Sequence, residues 1–401
     1  MMDIENSEVS YFRTVAVAKR AEIPGRRVPF GAYAAFVPAP LPPAIRWTPR
    51  LIGALSDADR LIGKLAGEGA RLPNPHLLMR PFVRREAVLS SRIEGTQATL
   101  GELLAAEAGA AVERSPEDLR EVGNYVVALE RGVELLKKLP LCVRLIRELH
   151  KRLLEGVRGG NAAPGRFRVT QNWIGKPGST PATATFIPPP PGEIETCLAA
   201  WERFLHESDL PPLVTIALAH YQFEAIHPFL DGNGRVGRLL IALFLIERKI
   251  LPGPLLYLSA FFEATRTEYY RSLQGVSERG GWKDWLEYFL LGIARMSEDA
   301  LSRATRINAL MTDWRGRMEG RPNGTPLRLL ELVAVNPFLT ITGAASQLNI
   351  AYTTAQRGIE ALERERIVSR ESEARRDRVY CARELLEILE EPAHLEPSGW
   401  R

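Results

Sequence analysis

Apolar residues recur at three- and four-residue spacing along most of the chain, and that period predicts helices. The first stripe is Leu51, Ala54, Leu55, Ala58, Leu61, Ile62 and Leu65, an amphipathic helix that begins after Arg46 and is closed by Pro73 and Pro75. A second helix is predicted to open near Pro81, which suits a first turn, and to run through Val88 and Leu89 to Glu94, with Gly95 as its cap. Thr99-Leu100-Gly101-Glu102 has the form of a capping box and starts another. Leucine-rich amphipathic stretches predict helices over 101–112, 116–138, 140–156, 192–207 and 213–226. Further apolar segments are Leu239 to Ile246 inside a core helix over 238–249, Leu255 to Leu273, and the stripe Trp282, Trp285, Tyr288, Phe289, Ile293 and Met296. The helical period fails from Gly159 to Pro191. There Phe167, Val169 and Trp173-Ile174, a turn at Lys176-Pro177-Gly178-Ser179-Thr180-Pro181, and Thr183 to Ile187 predict a β-hairpin flap over about 165–190. A lone hairpin is marginal, so it must lean on the helices or on a partner.

The two ends read differently. Residues 1 to about 45 are proline-rich without sustained periodicity, an arm or packed extension. Residues 297 to about 320 read as a polar linking helix, ended by Gly320-Arg321-Pro322-Asn323-Gly324. Beyond it, helices over Leu327–Val335, Ile341–Leu348 and Ala351–Glu365, then a strand pair over Ile367–Ser369 and Arg378–Cys381, follow the order of a winged helix-turn-helix. Tyr352, Thr353, Gln356 and Arg357 would begin its recognition helix, with Arg375, Arg376 and Arg378 on the wing. Residues 325–391 hold nine Arg and no Lys against eleven Asp and Glu, which weakens the case for phosphate-driven DNA binding. DNA contact and protein docking stay as alternatives. The expected organisation is mainly α: 1–112 as an N-terminal extension and helical region, 113–296 as a catalytic core, 297–324 as a linker helix, 325–391 as a winged-helix-like unit and 392–401 as a tail.

Composition narrows the class without deciding function. Hydrophobic residues at 45% and charged residues at 25% are those of a soluble globular chain, and a net charge of +4 with a pI near 9.0 does not demand nucleic acid. Cys142, Cys197 and Cys381 form no C-x-x-C pair, so neither a disulfide framework nor a zinc site is expected, and a reducing cytoplasm fits. Met1 to Glu8 is polar and acidic, unlike a signal peptide, and the run Leu239 to Ile246 is too short to span a bilayer. No membrane partner is expected.

The candidate chemistry lies in His227-Pro228-Phe229-Leu230-Asp231-Gly232-Asn233-Gly234-Arg235-Val236-Gly237-Arg238, between two apolar runs. Pro228 ends the preceding helix at His227. The glycines flanking Asn233 let backbone approach a ligand, and a glycine-rich loop feeding a helix N-terminus is an anion site. Arg235 and Arg238 sit three apart on a helical continuation and can reach phosphate oxygens. Asp231 can hold Mg²⁺ against those phosphates, and His227 remains as proton acceptor. His150 and His220 stand alone and read as structural.

This stretch resembles the signature of the Fic family, His-x-Phe-x-Asp/Glu-Gly-Asn-Gly-Arg-x-x-Arg, with every fixed position filled. The resemblance implies a Fic-type helical bundle that transfers AMP from ATP to a Ser, Thr or Tyr hydroxyl of a target protein, which can be the chain itself. His227 would be the base and Asp231 the Mg²⁺ ligand, while Gly232, Asn233, Gly234, Arg235, Gly237 and Arg238 would hold the phosphates. Thr185, Phe186 and Ile187 of the flap would line the nucleotide, and the flap's edge would pair with the target. The Tyr269-Tyr270 pair would lie beside the adenine, with Tyr269 on the base; eight residues on, Ser277 stands where the family can place an asparagine.

Upstream, Ser90-Ser91-Arg92-Ile93-Glu94-Gly95 puts a carboxylate at the negative end of a helix dipole, where it needs a cation, Arg85 and Arg92 being nearest in sequence. By resemblance Ser90, Glu94 and Gly95 match the family's inhibitory helix, expected at about 81–95, whose glutamate pairs with the second signature arginine, here Arg238. A homodimer is expected. The rival readings are a nucleotide-sensing DNA-binding regulator, and a Fic enzyme that removes AMP or uses another nucleotide.

Overall fold

In the computed structural model the described residues are 24–395, apart from 32, 72–75, 158–162, 176–177, 320–323 and 372–377. Outside them lie most of the proline-rich arm, Pro73 and Pro75, the Lys176-Pro177 turn, most of the Gly320–Gly324 boundary, Arg375 and Arg376 of the wing, and the end of the tail.

The described residues open with an antiparallel hairpin, β1 (Gly25–Phe30) and β2 (Tyr33–Pro38). The sequence hid it because β2 is covered on both faces from Ala35 to Pro38, which leaves no two-residue alternation to read. Helix α1 (Pro49–Arg71) then packs along the length of α11 (Trp282–Met318). Helix α2 (His76–Ile93) starts earlier than the predicted Pro81: the proline sits inside its early turns, where it removes one backbone donor and the helix continues through it. Thr99 caps α3 (Leu100–Glu107) with the full capping box to Glu102, and α4 (Pro116–Leu136) and α5 (Val143–Leu153) follow as an antiparallel pair.

Helices α6 (Ile194–Glu207), α7 (Pro212–Ile226) and α8 (Asn233–Glu247) form the centre. Helix α7 is mainly apolar, with Thr215, His220, Gln222 and Glu224 as its polar positions, and is buried along nearly its whole length by its neighbours. Helices α9 (Ser259–Ala264) and α10 (Arg266–Arg279) cover one end before α11. The stretch expected as a linking helix is the second half of α11, and it is buried on one side by Arg303, Ile307, Met311, Trp314 and Met318.

The predicted flap needs correction. Its arms meet at a single bridge, Ile174 to Phe186, rather than along a strand ladder. The flap is instead fixed by Arg168 at its base and by β2, where the Phe36 amide donates to Ile187 O at 2.8 Å and the Phe36 ring lies 5.7 Å from that of Phe186.

The C-terminal elements follow the predicted order, α12 (Thr325–Val335), α13 (Ile341–Leu348) and α14 (Tyr352–Arg364), then β4 (Ser369–Arg370), β5 (Val379–Cys381) and α15 (Arg383–Glu390). An unpredicted strand, β3 (Phe338–Thr340), pairs with β5, giving the order β3-β5-β4. These elements dock on α2 and α3. Asn336 Nδ2 donates to Leu104 O at 2.8 Å, the Gly101 amide to Glu390 Oε1 at 2.8 Å, and Arg85 to the carbonyls of Leu389 and Glu391. No helix among the described residues is long and apolar enough to cross a membrane.

Candidate active site

Helix α7 stops where Pro228 bars its continuation. His227 takes the left-handed conformation, φ 48° and ψ 60°, a costly one for a residue with a side chain that persists only when its surroundings enforce it. Arg168 enforces it. This buried guanidinium donates to His227 O at 2.9 Å and to Pro189 O at 2.6 Å, and its own amide donates to Pro228 O at 2.9 Å. His227 Nδ1 faces Glu224 O at 3.3 Å. A carbonyl only accepts, so Nδ1 carries the hydrogen and Nε2 is the free proton acceptor. Burial first, and Arg168 second, push the imidazole pKa down to about 4, so the accepting form prevails at neutral pH.

Asn233 closes the loop on itself. Its Oδ1 accepts from the Phe229 amide at 2.8 Å and its Nδ2 donates to Phe229 O at 2.9 Å. Phe229 stacks on His150 at 3.7 Å. His150 Nδ1 accepts from the Gly165 amide at 2.8 Å, so Nε2 carries the hydrogen and donates to Asp231 O at 2.9 Å. The isolated His150 of the sequence is thus a brace for the loop. Because Asn233 is buried and meets a buried amide, Asn233→Ala is expected to cost about 2 kcal/mol, measured as a drop in urea denaturation free energy of the full chain.

Beyond Gly232, φ 77°, helix α8 begins, and the amides of its first turn have no partner within the helix. The two arginines of that helix diverge. Arg235 is buried and turns to Glu121 Oε1 at 2.5 Å, with a longer reach to Asp231 Oδ1 at 3.4 Å. Arg238 enters a cavity of about 550 Å³ lined by Glu94, Thr185, Phe186, Glu224, His227, Gly234, Tyr269, Tyr270 and Ser277 among others. There Arg238 Nη2 meets Glu94 Oε1 at 2.7 Å, and the guanidinium also donates to Ser90 Oγ at 2.8 Å and Ser90 O at 2.9 Å. Glu94 takes Arg238, not Arg85 or Arg92. Burial would raise the Glu94 pKa and lower that of Arg238, but their mutual attraction outweighs it in both and holds the pair charged.

Glu94 also lies directly over Gly234. A side chain there would collide with its carboxylate, so the glycine leaves the space that the carboxylate occupies at the helix N-terminus. The carboxylate of Glu94 therefore sits beside Arg238 and over Gly234 at the N-terminal end of α8. Its own helix is anchored further back by Glu86, which accepts from the Ser259 amide at 3.0 Å and from Tyr125 Oη at 3.1 Å. Gly95 takes φ 104°, a conformation suited to glycine.

Of the other sequence candidates, Tyr269 is buried with its hydroxyl given to His220 Nε2 at 2.8 Å, and the adjacent Tyr270 presents the exposed ring. Gly237 packs beneath Glu224 and His220, while Ile187, Gly232 and Asn233 support the cavity from outside its lining. Asp231 stands half exposed at the loop's edge, its Oδ1 accepting from the Gly232 amide at 2.6 Å. Sequence reasoning missed Arg168, Glu121 and Glu224. The signal for Arg168 was a charged residue between Phe167 and Val169 in a segment expected to pack, and for Glu224 a lone acid in a mainly apolar helix. A larger, basic hollow of about 740 Å³ beside α5, lined by Arg131, Arg144, Arg147 and Lys151, contains none of the residues named above for the chemistry.

Residues 52–134 match the Fic/DOC family N-terminal model and residues 140–245 the Fic/DOC family model. The proteins named Protein adenylyltransferase Fic from Drosophila sechellia and Drosophila melanogaster are 34% identical over 164 residues, 39% of this chain and 30% of theirs. The chain thus spans under a third of the length of these curated relatives. Among solved structures, a Fic family protein from Desulfovibrio desulfuricans G20 aligns with a TM-score of 0.57 at 20% identity, covering 85% of this chain and 98% of that one. Fic-1 from C. elegans aligns with a TM-score of 0.50 at 23% identity, covering 64% and 75%. These two show the fold.

Proposed function

From a chain that carries the Fic/DOC N-terminal and Fic/DOC domains, we propose a protein adenylyltransferase that moves AMP from ATP to a Ser, Thr or Tyr hydroxyl of a target protein and is held quiet by Glu94. The observation that carries this is the 2.7 Å pair of Glu94 with Arg238 in the same cavity as His227. The name of the Drosophila relatives supports the reaction class.

His227 Nε2 takes the proton of the target hydroxyl as its oxygen bonds to the α-phosphorus; the bond from that phosphorus to the bridging oxygen breaks and pyrophosphate leaves. The free amides at the start of α8, at Gly234 on the cavity wall and Asn233 beside it, receive the phosphate charge, while the Gly232 amide stays with Asp231. Arg238 takes the γ-phosphate once Glu94 withdraws. Arg235, tied to Glu121, keeps Asp231 in register at the loop's edge. Thr185 and Phe186 with Tyr269 and Tyr270 enclose the base, Ile187 backs them from outside the lining, and the flap's edge pairs with the target. Asp231 suits Mg²⁺: Oδ1 is occupied by an amide, Oδ2 is left to a cation, and phosphates and water complete an ion that habitually uses one or two protein carboxylates. When bound there, Mg²⁺ offsets charge on the phosphate oxygens.

On this reading residues 113–296 carry catalysis, 1–112 regulate it through Ser90, Glu94 and Gly95, 297–324 link, and 325–391 form a winged-helix unit. The chain works in the cytoplasm, as a homodimer. The donor is tested by intact mass after incubating the Glu94→Gly chain with ATP, GTP, CTP or UTP: a gain of one AMP from ATP is expected, and a gain from another donor instead would overturn it.

One observation favours the DNA-binding regulator as a second reading: Tyr352, Thr353, Thr354 and Arg357 are exposed at the start of α14. A gel-shift series over salt concentration tests it, and binding without salt dependence would tell against it.

A further inference from the structure

Glu224 is the one acid on helix α7, and the transfer chemistry above makes no use of it. Its carboxyl lines the cavity, yet Oε1 is buried and meets no donor among the described residues. A buried polar atom without a partner costs stability and calls for a reason. Room for this carboxyl is made by Gly237, since a side chain there would collide with Oε1. The signature glycine therefore serves Glu224.

Position supplies the reason. Tyr221 and Glu224, one turn apart on α7 and about 4.5 Å apart along its axis, and His227 at its C-cap all line the cavity in that order. One end of that series is the Tyr221 hydroxyl, bonded to Ser277 Oγ at 2.9 Å, among Ile174, Phe186, Tyr270 and Leu273, the apolar and aromatic setting that a base requires. The other end is His227 with Gly234 and Arg238, the phosphate end. Glu224 lies between the two. In a nucleotide the group between base and phosphates is the sugar, whose polar atoms on that stretch are hydroxyls, and a carboxyl oxygen is an acceptor for them.

We infer that Glu224 is a specificity residue that accepts a hydrogen bond from a ribose hydroxyl of the nucleotide; this rests on the nucleotide-transfer reading of the cavity. It makes the site select ribonucleotides. Burial, opposed by Arg238 and reinforced by Glu94, holds the Glu224 pKa up to about 7, as for a carboxyl that still lacks its partner.

The test is calorimetric titration of the Glu94→Gly chain with ATP, 2′-deoxy-ATP and 3′-deoxy-ATP, repeated in Glu94→Gly/Glu224→Ala and Glu94→Gly/Glu224→Gln. In the parent, at least one deoxy analogue is expected to bind about 10-fold or more weaker than ATP, as for loss of a hydrogen bond to a charged group. In the Glu224→Ala chain ATP should fall to the deoxy level, so that discrimination disappears. Glu224→Gln, which keeps an acceptor oxygen of the same reach, should retain part of it. Equal affinities in the parent, or unchanged discrimination in a folded Glu224→Ala chain, would overturn the inference while leaving ATP transfer intact. Failure of all three nucleotides to bind the parent would instead overturn the nucleotide site itself, and the inference with it.

Discussion

Replacing His227 with alanine is expected to lower AMP transfer by roughly 10²- to 10⁴-fold, the usual worth of a positioned general base, while ATP affinity stays close to that of the parent. The separation follows from the proposed roles: His227, Gly234 and Arg238 line one cavity, where the first would act as base and the other two would hold the phosphates. Transfer from ATP labelled at the α-phosphate, in the Glu94→Gly background, reads the rate. The pH profile adds a second check. With a pKa pushed down to about 4, His227 is already the neutral acceptor at pH 7, so its contribution is present above that value and is lost as pH falls through about 4. An acid limb near pH 6.5, the ordinary imidazole value, would mean that burial and Arg168 do not act on the base as the structure implies.

Removing the Glu94 side chain, as Glu94→Gly, is expected to tighten ATP binding by roughly 5- to 150-fold, the range of coupling between two ligands competing for one state. On the proposed reading the phosphate would take the guanidinium that now holds Glu94 and the space over Gly234 that its carboxylate fills, so each would exclude the other. Glu94→Gln separates charge from bulk: the amide loses the ion pair but still overhangs Gly234, and it should recover only part of the gain. Equal ATP affinity in parent and Glu94→Gly would remove the inhibitory role. What withdraws Glu94 in the intact chain has a structural starting point, because α2 is held at Glu86 by Ser259 and Tyr125 and at Arg85 by the carbonyls of Leu389 and Glu391 at the end of α15. The C-terminal elements thus touch helix α2 directly.

How much of this was legible in the sequence depended on whether a feature is local. Helix α7, the stop at Pro228 and the start of α8 were readable because proline, glycine and apolar periodicity act over a few residues. The pairing of Glu94 with Arg238 was foreseen from a family pattern, whereas chemistry alone pointed to Arg85 or Arg92. Those two alternatives fail for a tertiary reason: Arg85 is committed to the C-terminal carbonyls and Arg92 faces Glu263. Periodicity predicted two flap strands where there is one bridge, because β2, distant in sequence, supplies the hydrogen bond that a ladder would have made. Arg235 was expected beside Arg238 on the phosphates; a helical spacing of three gives a common face, but Glu121 on α4 draws the first arginine away. Arg168 and Glu224 stood out in sequence only as charges in segments expected to pack; the carbonyls that Arg168 binds and the cavity that Glu224 lines come from the fold.

The central claim, a base-dependent AMP transfer that Glu94 restrains, is tested most directly by intact-mass spectrometry of three chains incubated with ATP and Mg²⁺: the parent, Glu94→Gly and Glu94→Gly/His227→Ala. The account predicts little or no added AMP on the parent, a gain of one or more AMP groups on Glu94→Gly itself or on an added target, and loss of that gain in the double variant. An equal gain in parent and Glu94→Gly, or an undiminished gain without His227, would contradict it.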